Sequence, residues 1–209
     1  MRQQIMNYEN LIRITKGISH CRDPEDVALM SVEAIKTGLG VKGCALLLFD
    51  RKSQELKIAA SHGLSEEYLN KGPISSLKSI AASLEEGPVA VYDVSEDPRI
   101  QYPEEAKQEG IVSILSVPIQ LHQKSLGALR VYTAEPWDFT LEDINFVQAL
   151  AQIIGMTIEM SRLSKGHKDA IAVLKELKEA ELKARTRRTP YEGVPVSIPR
   201  REKKSRRAV

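Results

Sequence analysis

No apolar run in this chain approaches the roughly 18–20 residues that a membrane-spanning helix needs. The densest, Cys44-Ala45-Leu46-Leu47-Leu48-Phe49, is only strand-sized. The first residues, Met1-Arg2-Gln3-Gln4, lead into a polar helical pattern and lack the apolar core of a secretory signal. The expectation is therefore a cytoplasmic protein with no transmembrane segment. Cysteine is scarce: the two residues, Cys21 and Cys44, cannot build a zinc site alone and suggest no disulfide framework. Also missing are the Gly-rich phosphate loops, His-Glu-x-x-His and Gly-x-Ser-x-Gly. These absences point away from an enzyme.

A modest net charge of +2 over 209 residues hides two regimes. Residues 164–209 hold 14 Lys and Arg against 6 Asp and Glu, leaving residues 1–163 with 16 against 22. The basic clusters Arg185-Thr186-Arg187-Arg188 and Arg200-Arg201-Glu202-Lys203-Lys204-Ser205-Arg206-Arg207 offer a surface for an anionic partner: a phosphate backbone, an acidic membrane or an acidic protein. Apart from Tyr191, no aromatic residue interleaves with them, so base stacking is poorly supported. With few apolar residues, 187–209 are expected to be disordered alone.

Periodicity divides the remainder. Ile5, Tyr8, Leu11, Ile12, Ile14 and Ile18 form a helical stripe over residues 1–19. Asp23-Pro24-Glu25-Asp26 opens a second helix, which ends at Gly38-Leu39-Gly40. Gly43–Phe49 is apolar on both alternating faces, as a central strand is, and a polar turn leads from it into a strand over Glu55–Ser61. A short helix is expected at Ser65–Asn70 and another over residues 76–85, followed by a short strand at Val89–Tyr92. Pro103 starts a further short helix. Ile111–Leu121 and Ser125–Thr133 form the strongest hairpin, with Ile111, Ser113, Leu115, Val117 and Ile119 on one face and an interruption or bulge expected at Pro118. Thr140 with Asp143 reads as a capping box for a long helix that Lys165-Gly166 should weaken or break, and Ala170–Ala184 as a second amphipathic helix. Hairpin-joined strands with helices before, between and after them make an α+β fold around a mainly antiparallel sheet.

The segments "GVKGCALLLFD", "LKIAASHGL", "VYDVSEDPRI", "EGIVSILSVPIQLHQKSLGALRVY" and "FTLEDINFVQALAQIIGMTIE", in this order and spacing, resemble the GAF domain family of sensory modules, PAS-like in architecture. The resemblance divides the chain into an N-terminal helix (1–21), a GAF domain (22–163), a helical extension (164–186) and a basic tail (187–209). It implies a five- or six-stranded antiparallel sheet with helices on both sides, a small-molecule pocket on one of them, and a homodimer through the terminal helices. The ligand stays unknown. The Asn-Lys-Phe-Asp-Glu-type motif of cyclic-nucleotide binders is missing. The Cys21-His20 pair has the residue types of bilin attachment in the wrong region, and Cys44 lies on a central strand. His62 is the one histidine near the expected pocket available as a haem ligand, and a His-Gly after the second strand is also ordinary for the family. Relatives that reduce free methionine sulfoxide use several pocket cysteines, which two unmatched ones do not reproduce.

Polar residues in apolar settings are the remaining pocket candidates. They are Ser113, Arg130 between Leu129 and Val131, Arg99, His62, and Ser79 in the Ser75-Ser76-Ser79 group at a helix start, where amides can hold an anion. Each has a plainer reading: serines cap helices, Arg99 pairs with Asp93 or Asp97, and Arg130 points to solvent. The expected function is a regulatory protein that senses a small ligand or partner and signals through its terminal helices. The alternatives are a ligand-free dimerisation or protein-interaction module, and a nucleic-acid-associated regulator acting through the tail.

Overall fold

The structure is a computed structural model that describes residues 8–21, 23–50, 52–75, 87–122 and 124–186. It divides into two compact units, residues 1–166 and 167–209. The helix expected over 76–85, the candidate Ser79 and the tail 187–209 lie outside the described residues.

The first unit starts with α1 (Tyr8–Ile18) and α2 (Pro24–Leu39). Pro24 takes the first helical position, where its missing N–H costs nothing, and Gly40 closes the helix in the left-handed conformation. Strands β1 (Gly43–Asp50) and β2 (Glu55–His62) follow, then α3 (Glu66–Leu69), β3 (Ile74–Ser75) and β4 (Val89–Val91). Next come α4 (Pro103–Gln108), β5 (Ser113–Leu121), β6 (Lys124–Thr133) and α5 (Leu141–Thr186). The six strands form one sheet in the order β3-β2-β1-β6-β5-β4, with every pairing antiparallel. β1 is one of the two central strands, between β2 and β6, and is buried over its first five residues, as its two apolar faces require. Gly127 allows β6 to run so close to it: a Cβ there would stand 1.9 Å from the carbonyl oxygen of Leu47.

The sheet separates two cores. On the helical face, Cys44 and Leu46 of β1, Leu115, Val117 and Ile119 of β5, and Leu129 and Val131 of β6 pack with α1, α2 and the first five turns of α5. The other face packs Ala45, Leu47, Ile114, Ala128 and Tyr132 beneath α3, α4 and the connecting loops.

Three local expectations change. Pro118 does not interrupt β5: it pairs with Ala128, and the register shift falls between Ile119 and Gln120. Its carbonyl accepts from the Gln148 side chain, beyond the last pair of β4, so its missing N–H falls where no neighbouring strand needs it. Ile111 precedes β5 and joins the second core rather than sharing the face of Leu115. α5 continues through Gly166 to Thr186 instead of breaking, consistent with the cost of only about 1 kcal/mol for one helical glycine. Its start is the expected capping box: Asp143 N–H donates to Thr140 Oγ1 at 3.2 Å, and Thr140 N–H to Asp143 Oδ2 at 3.0 Å. Among the described residues, no helix is long and apolar enough to cross a membrane.

In the second unit, the described residues 167–186 are helical. Ile171, Val173, Leu174 and Leu177 are exposed there.

Candidate functional site

Alternation along β6 decides which side chains meet. Leu129 and Val131 face the helical core, so Arg130 between them faces the other side, with Ala128 and Tyr132. It does not reach solvent: Arg130 is only 6% exposed, deep in the middle of the sheet, paired with Ala45 of β1 and Ser116 of β5. Burial on this scale is unusual for arginine unless the charge is paired.

A narrow cleft of about 20 Å³, room for roughly one water and open to solvent on one side, lies over this side chain. Its walls include Tyr68, Lys71, Ile74, Tyr102 and Ile114. Each wall has a local cause. Ser65 caps α3 by accepting from the Tyr68 N–H at 3.1 Å, which fixes the turn that buries Tyr68. The Tyr68 ring then meets Tyr132 edge-on, with centroids 6.0 Å apart. Lys71 folds back over the same ring, its Nζ 3.5 Å from the centroid, and donates to the Tyr68 carbonyl at 2.8 Å. Tyr102 Oη donates to the Pro73 carbonyl at 2.9 Å, and Gln101 Nε2 donates to the same oxygen at 3.0 Å. These bonds pin the Gly72-Pro73 connection against the rim. Position 72 favours glycine, because its φ of +138° is a conformation that L side chains rarely adopt, and a Cβ would also stand 2.5 Å from the Tyr102 hydroxyl.

The cavity is electrically one-sided. Burial, and then repulsion from Arg130, push the Lys71 ammonium down to about 8. Burial pushes the Tyr68 and Tyr132 hydroxyls up, and Arg130, which hydrogen-bonds to Tyr132, partly opposes this. Nε and Nη2 of Arg130 are buried with no hydrogen-bond partner among the described residues. The nearby carboxylates Glu105 and Glu109 favour the charged form of Lys71. Glu109, however, is engaged elsewhere. It accepts from the backbone and hydroxyl of Ser65 and pairs with Lys42 at 3.4 Å. Burial works against its charge, but these bonds hold its carboxyl below the ordinary range.

The sequence candidates do not converge on one site. Arg130 forms the floor of this cavity, so the solvent-facing alternative for it is overturned by its burial. Ser113 is buried on the helical side, in phase with Leu115. Its hydroxyl donates to the Tyr92 carbonyl and accepts from the Trp137 N–H at 2.8 Å, tying the segment after β6 to the end of β4. His62 pairs with Cys44 and shares the side of Ala60, also the helical side. Arg99 lies on an exposed loop and is held by Asp97, with Nη2 to Oδ2 at 2.6 Å, while that bond keeps the Asp97 carboxyl low. Its neighbours Ile100, Gln101 and Tyr102 line the cavity instead. Cys44 is fully buried on the helical side, and burial pushes its thiol far up; Cys21 is partly buried, and its thiol is raised by burial and by Asp26. Among the described residues, no group of three or more His, Cys, Asp or Glu could hold a metal ion. Tyr68 and Lys71 were not singled out from sequence. The pattern Tyr68-x-x-Lys71-Gly72-Pro73, a tyrosine and a lysine just ahead of a Gly-Pro turn, is the signal that marks them.

The comparisons agree with this architecture. A family model described as GAF domain matches residues 21–159. No curated protein sequence matches significantly. Among solved structures, the GAF domain of a phosphoenolpyruvate-protein phosphotransferase from Coxiella burnetii is similar with a TM-score of 0.69 and 23% identity, over 78% of this chain and 99% of that one. The GAF domain of an Acinetobacter phosphoenolpyruvate-protein phosphotransferase gives a TM-score of 0.64 at 24% identity, over 74% of this chain and 93% of that one. Free methionine-R-sulfoxide reductase from Neisseria meningitidis, solved with its substrate, gives 0.67 at 20%, over 78% and 95%. At such identities the likeness concerns the fold. The antiparallel six-stranded sheet, its two-sided packing and the match over residues 21–159 make this chain a member of the GAF domain family.

Proposed function

We propose that this chain is a regulatory, non-enzymatic GAF module that binds a small ligand in the cavity over Arg130. GAF domains are generally ligand-sensing or regulatory modules, and the observation that carries the reading here is the polar floor of that cavity. A guanidinium buried in the middle of a sheet, with two nitrogens unpartnered among the described residues, is costly as pure architecture. A cleft that brings an arginine, a lysine and two tyrosines together beside Ile74, Ile100 and Ile114 supplies the converging polar groups with which a small-molecule site orients its ligand. The solved reductase of the same fold keeps the enzymatic alternative in view, but both cysteines of this chain are poor thiolate candidates and Cys44 lies across the sheet from the cavity. Mass spectrometry of molecules retained by the natively purified protein tests the reading. A stoichiometric small molecule, lost when the cavity is filled by Ile114→Trp in a folded variant, supports it. Its retention in that variant would place the ligand elsewhere.

Signalling through a homodimer is the second part of the proposal. α1 and the first unit's part of α5 are well packed on one side, yet Tyr8 and Ile12 on α1, and Met156, Met160 and Leu163 on α5, are exposed. Ile153, Met156, Met160 and Leu163 recur at alternating three- and four-residue steps, the spacing of a helix-pairing seam. Sedimentation should give a dimer at tens of micromolar. A monomer there would refute this part and favour a module that acts without self-association.

A further inference from the structure

The floor of the cavity also fixes what chemistry its occupant must carry. An arginine guanidinium stays charged at any ordinary pH and presents its donors in a rigid plane. Nε and Nη2 lie side by side on one edge of that plane, the edge that meets two oxygens of one carboxylate or phosphate in parallel hydrogen bonds. These are the two Arg130 nitrogens that are buried and unpartnered among the described residues, while Tyr132 takes a hydrogen bond from the same group. Arg130 is more than nine-tenths buried and lines the cavity, so the unpartnered edge is part of a built site and not of a mobile surface.

Lys71 supplies the second charge. Its ammonium is held over the Tyr68 ring, with one of its three donors given to the Tyr68 carbonyl. Two cations therefore share one partly desolvated cavity. Glu109 is committed to Lys42 and Ser65, and among the described residues no carboxylate forms an ion pair with Arg130 or Lys71. Like charges brought together out of water cost stability unless an opposite charge joins them.

We propose that the cleft takes a small oxyanion, a carboxylate or phosphate seated on Nε and Nη2 of Arg130 and facing Lys71. This rests on the ligand-binding reading above and narrows it to a chemical class. A neutral ligand would leave both charges unpaired and gain little from the guanidinium edge.

The test uses the full chain and three probes in thermal denaturation and calorimetry: acetate, inorganic phosphate and the neutral acetamide, each against chloride at equal ionic strength. Acetate, phosphate or both should raise the melting midpoint of the wild type, and acetamide should not. Arg130→Met should weaken the responding oxyanion about tenfold to a hundredfold, the loss expected for a charge-assisted pair of hydrogen bonds. Arg130→Lys should weaken it too, because the charge remains but the two-donor edge is gone. Lys71→Met gives an independent reading if an Arg130 variant does not fold. A response to acetate alone assigns a carboxylate, to phosphate alone a phosphate, and to both the shared oxyanion. Failure of both oxyanions to stabilise the wild type, an equal effect of acetamide, or an undiminished response in folded Arg130→Met and Lys71→Met overturns the proposal. If a neutral molecule is meanwhile retained through purification by wild type and Arg130→Met alike, the oxyanion assignment falls while the ligand-binding reading stands.

Discussion

The two faces of the sheet solve different problems. The helical face is closed: Leu46, Leu115, Val117, Leu129 and Val131 meet Ile14, Ile35, Leu150 and Ile154, all essentially without solvent contact. The opposite face carries Ala45, Leu47 and Ile114 but also Arg130, Ser116, Tyr68 and Tyr132, and leaves a cavity over them. A close-packed apolar layer stabilises and has no vacancy to fill. A layer that buries an unpaired cation is stabilised incompletely, and that incompleteness is where ligand binding can contribute. The same strand serves both purposes, since β6 alternates Leu129 and Val131 against Arg130.

The contrast can be broken most severely from the closed side. Leu46→Ala should destabilise the protein by about 2–5 kcal/mol in chemical denaturation, because the lost contacts leave a cavity between sheet and helices. From the open side the sign reverses. Arg130→Met should stabilise the ligand-free protein by about 1–3 kcal/mol, the cost of the unsatisfied group, although it weakens anion binding. A destabilisation as large as that of Leu46→Ala would mean that Arg130 is structural. A smaller effect sharpens the frame around both faces: Thr140→Ala should cost about 1 kcal/mol through its capping bond to Asp143. A pH effect probes the open face separately. Lys71 is protonated in the unfolded chain to about pH 10.4 but folds with a value of about 8. Between these values the unfolded chain binds more protons, so the contribution of Lys71 to stability improves as pH rises from 8. Arg130, Tyr68, Glu105 and Glu109 act on it throughout, so the comparison is wild type minus Lys71→Met. That difference should shift in favour of the wild type across this window, and a flat difference would deny the desolvated lysine.

Much of the architecture was legible because it is written in local chemistry. Thr140 and Asp143 announce the start of α5, Pro24 and Gly40 bound α2, and the two apolar faces of Gly43–Phe49 identify a central strand. Faces were harder. In β5 alternation put Ser113 with Leu115, but both alternating sets are apolar or small, so nothing marked which side of the sheet that face takes, and only the assembled sheet turns it to the helices. For His62 the cause is a bulge. The register shift opposite Leu46 and Leu47 leaves Ala59 unpaired, so Leu56 and Ile58 pack on one side of the sheet while Ala60 and His62 turn to the other. The walls of the site were hidden for another reason: Lys71, two residues before Pro73, and Tyr102, directly before Pro103, sit at loop edges where no periodicity operates, and they meet Arg130 only through long-range packing.

The central claim is that Arg130 waits for an oxyanion, and the Arg130 Nε–H group reports on it directly. In ¹H–¹⁵N spectra of the arginine side chains, assigned through the loss of one signal in Arg130→Met, titration with acetate or inorganic phosphate should move the Arg130 Nε–H resonance downfield and saturably, with acetamide leaving it in place. An Arg130 signal that stays fixed under both oxyanions, or that moves no more than those of the exposed arginines, would contradict the account.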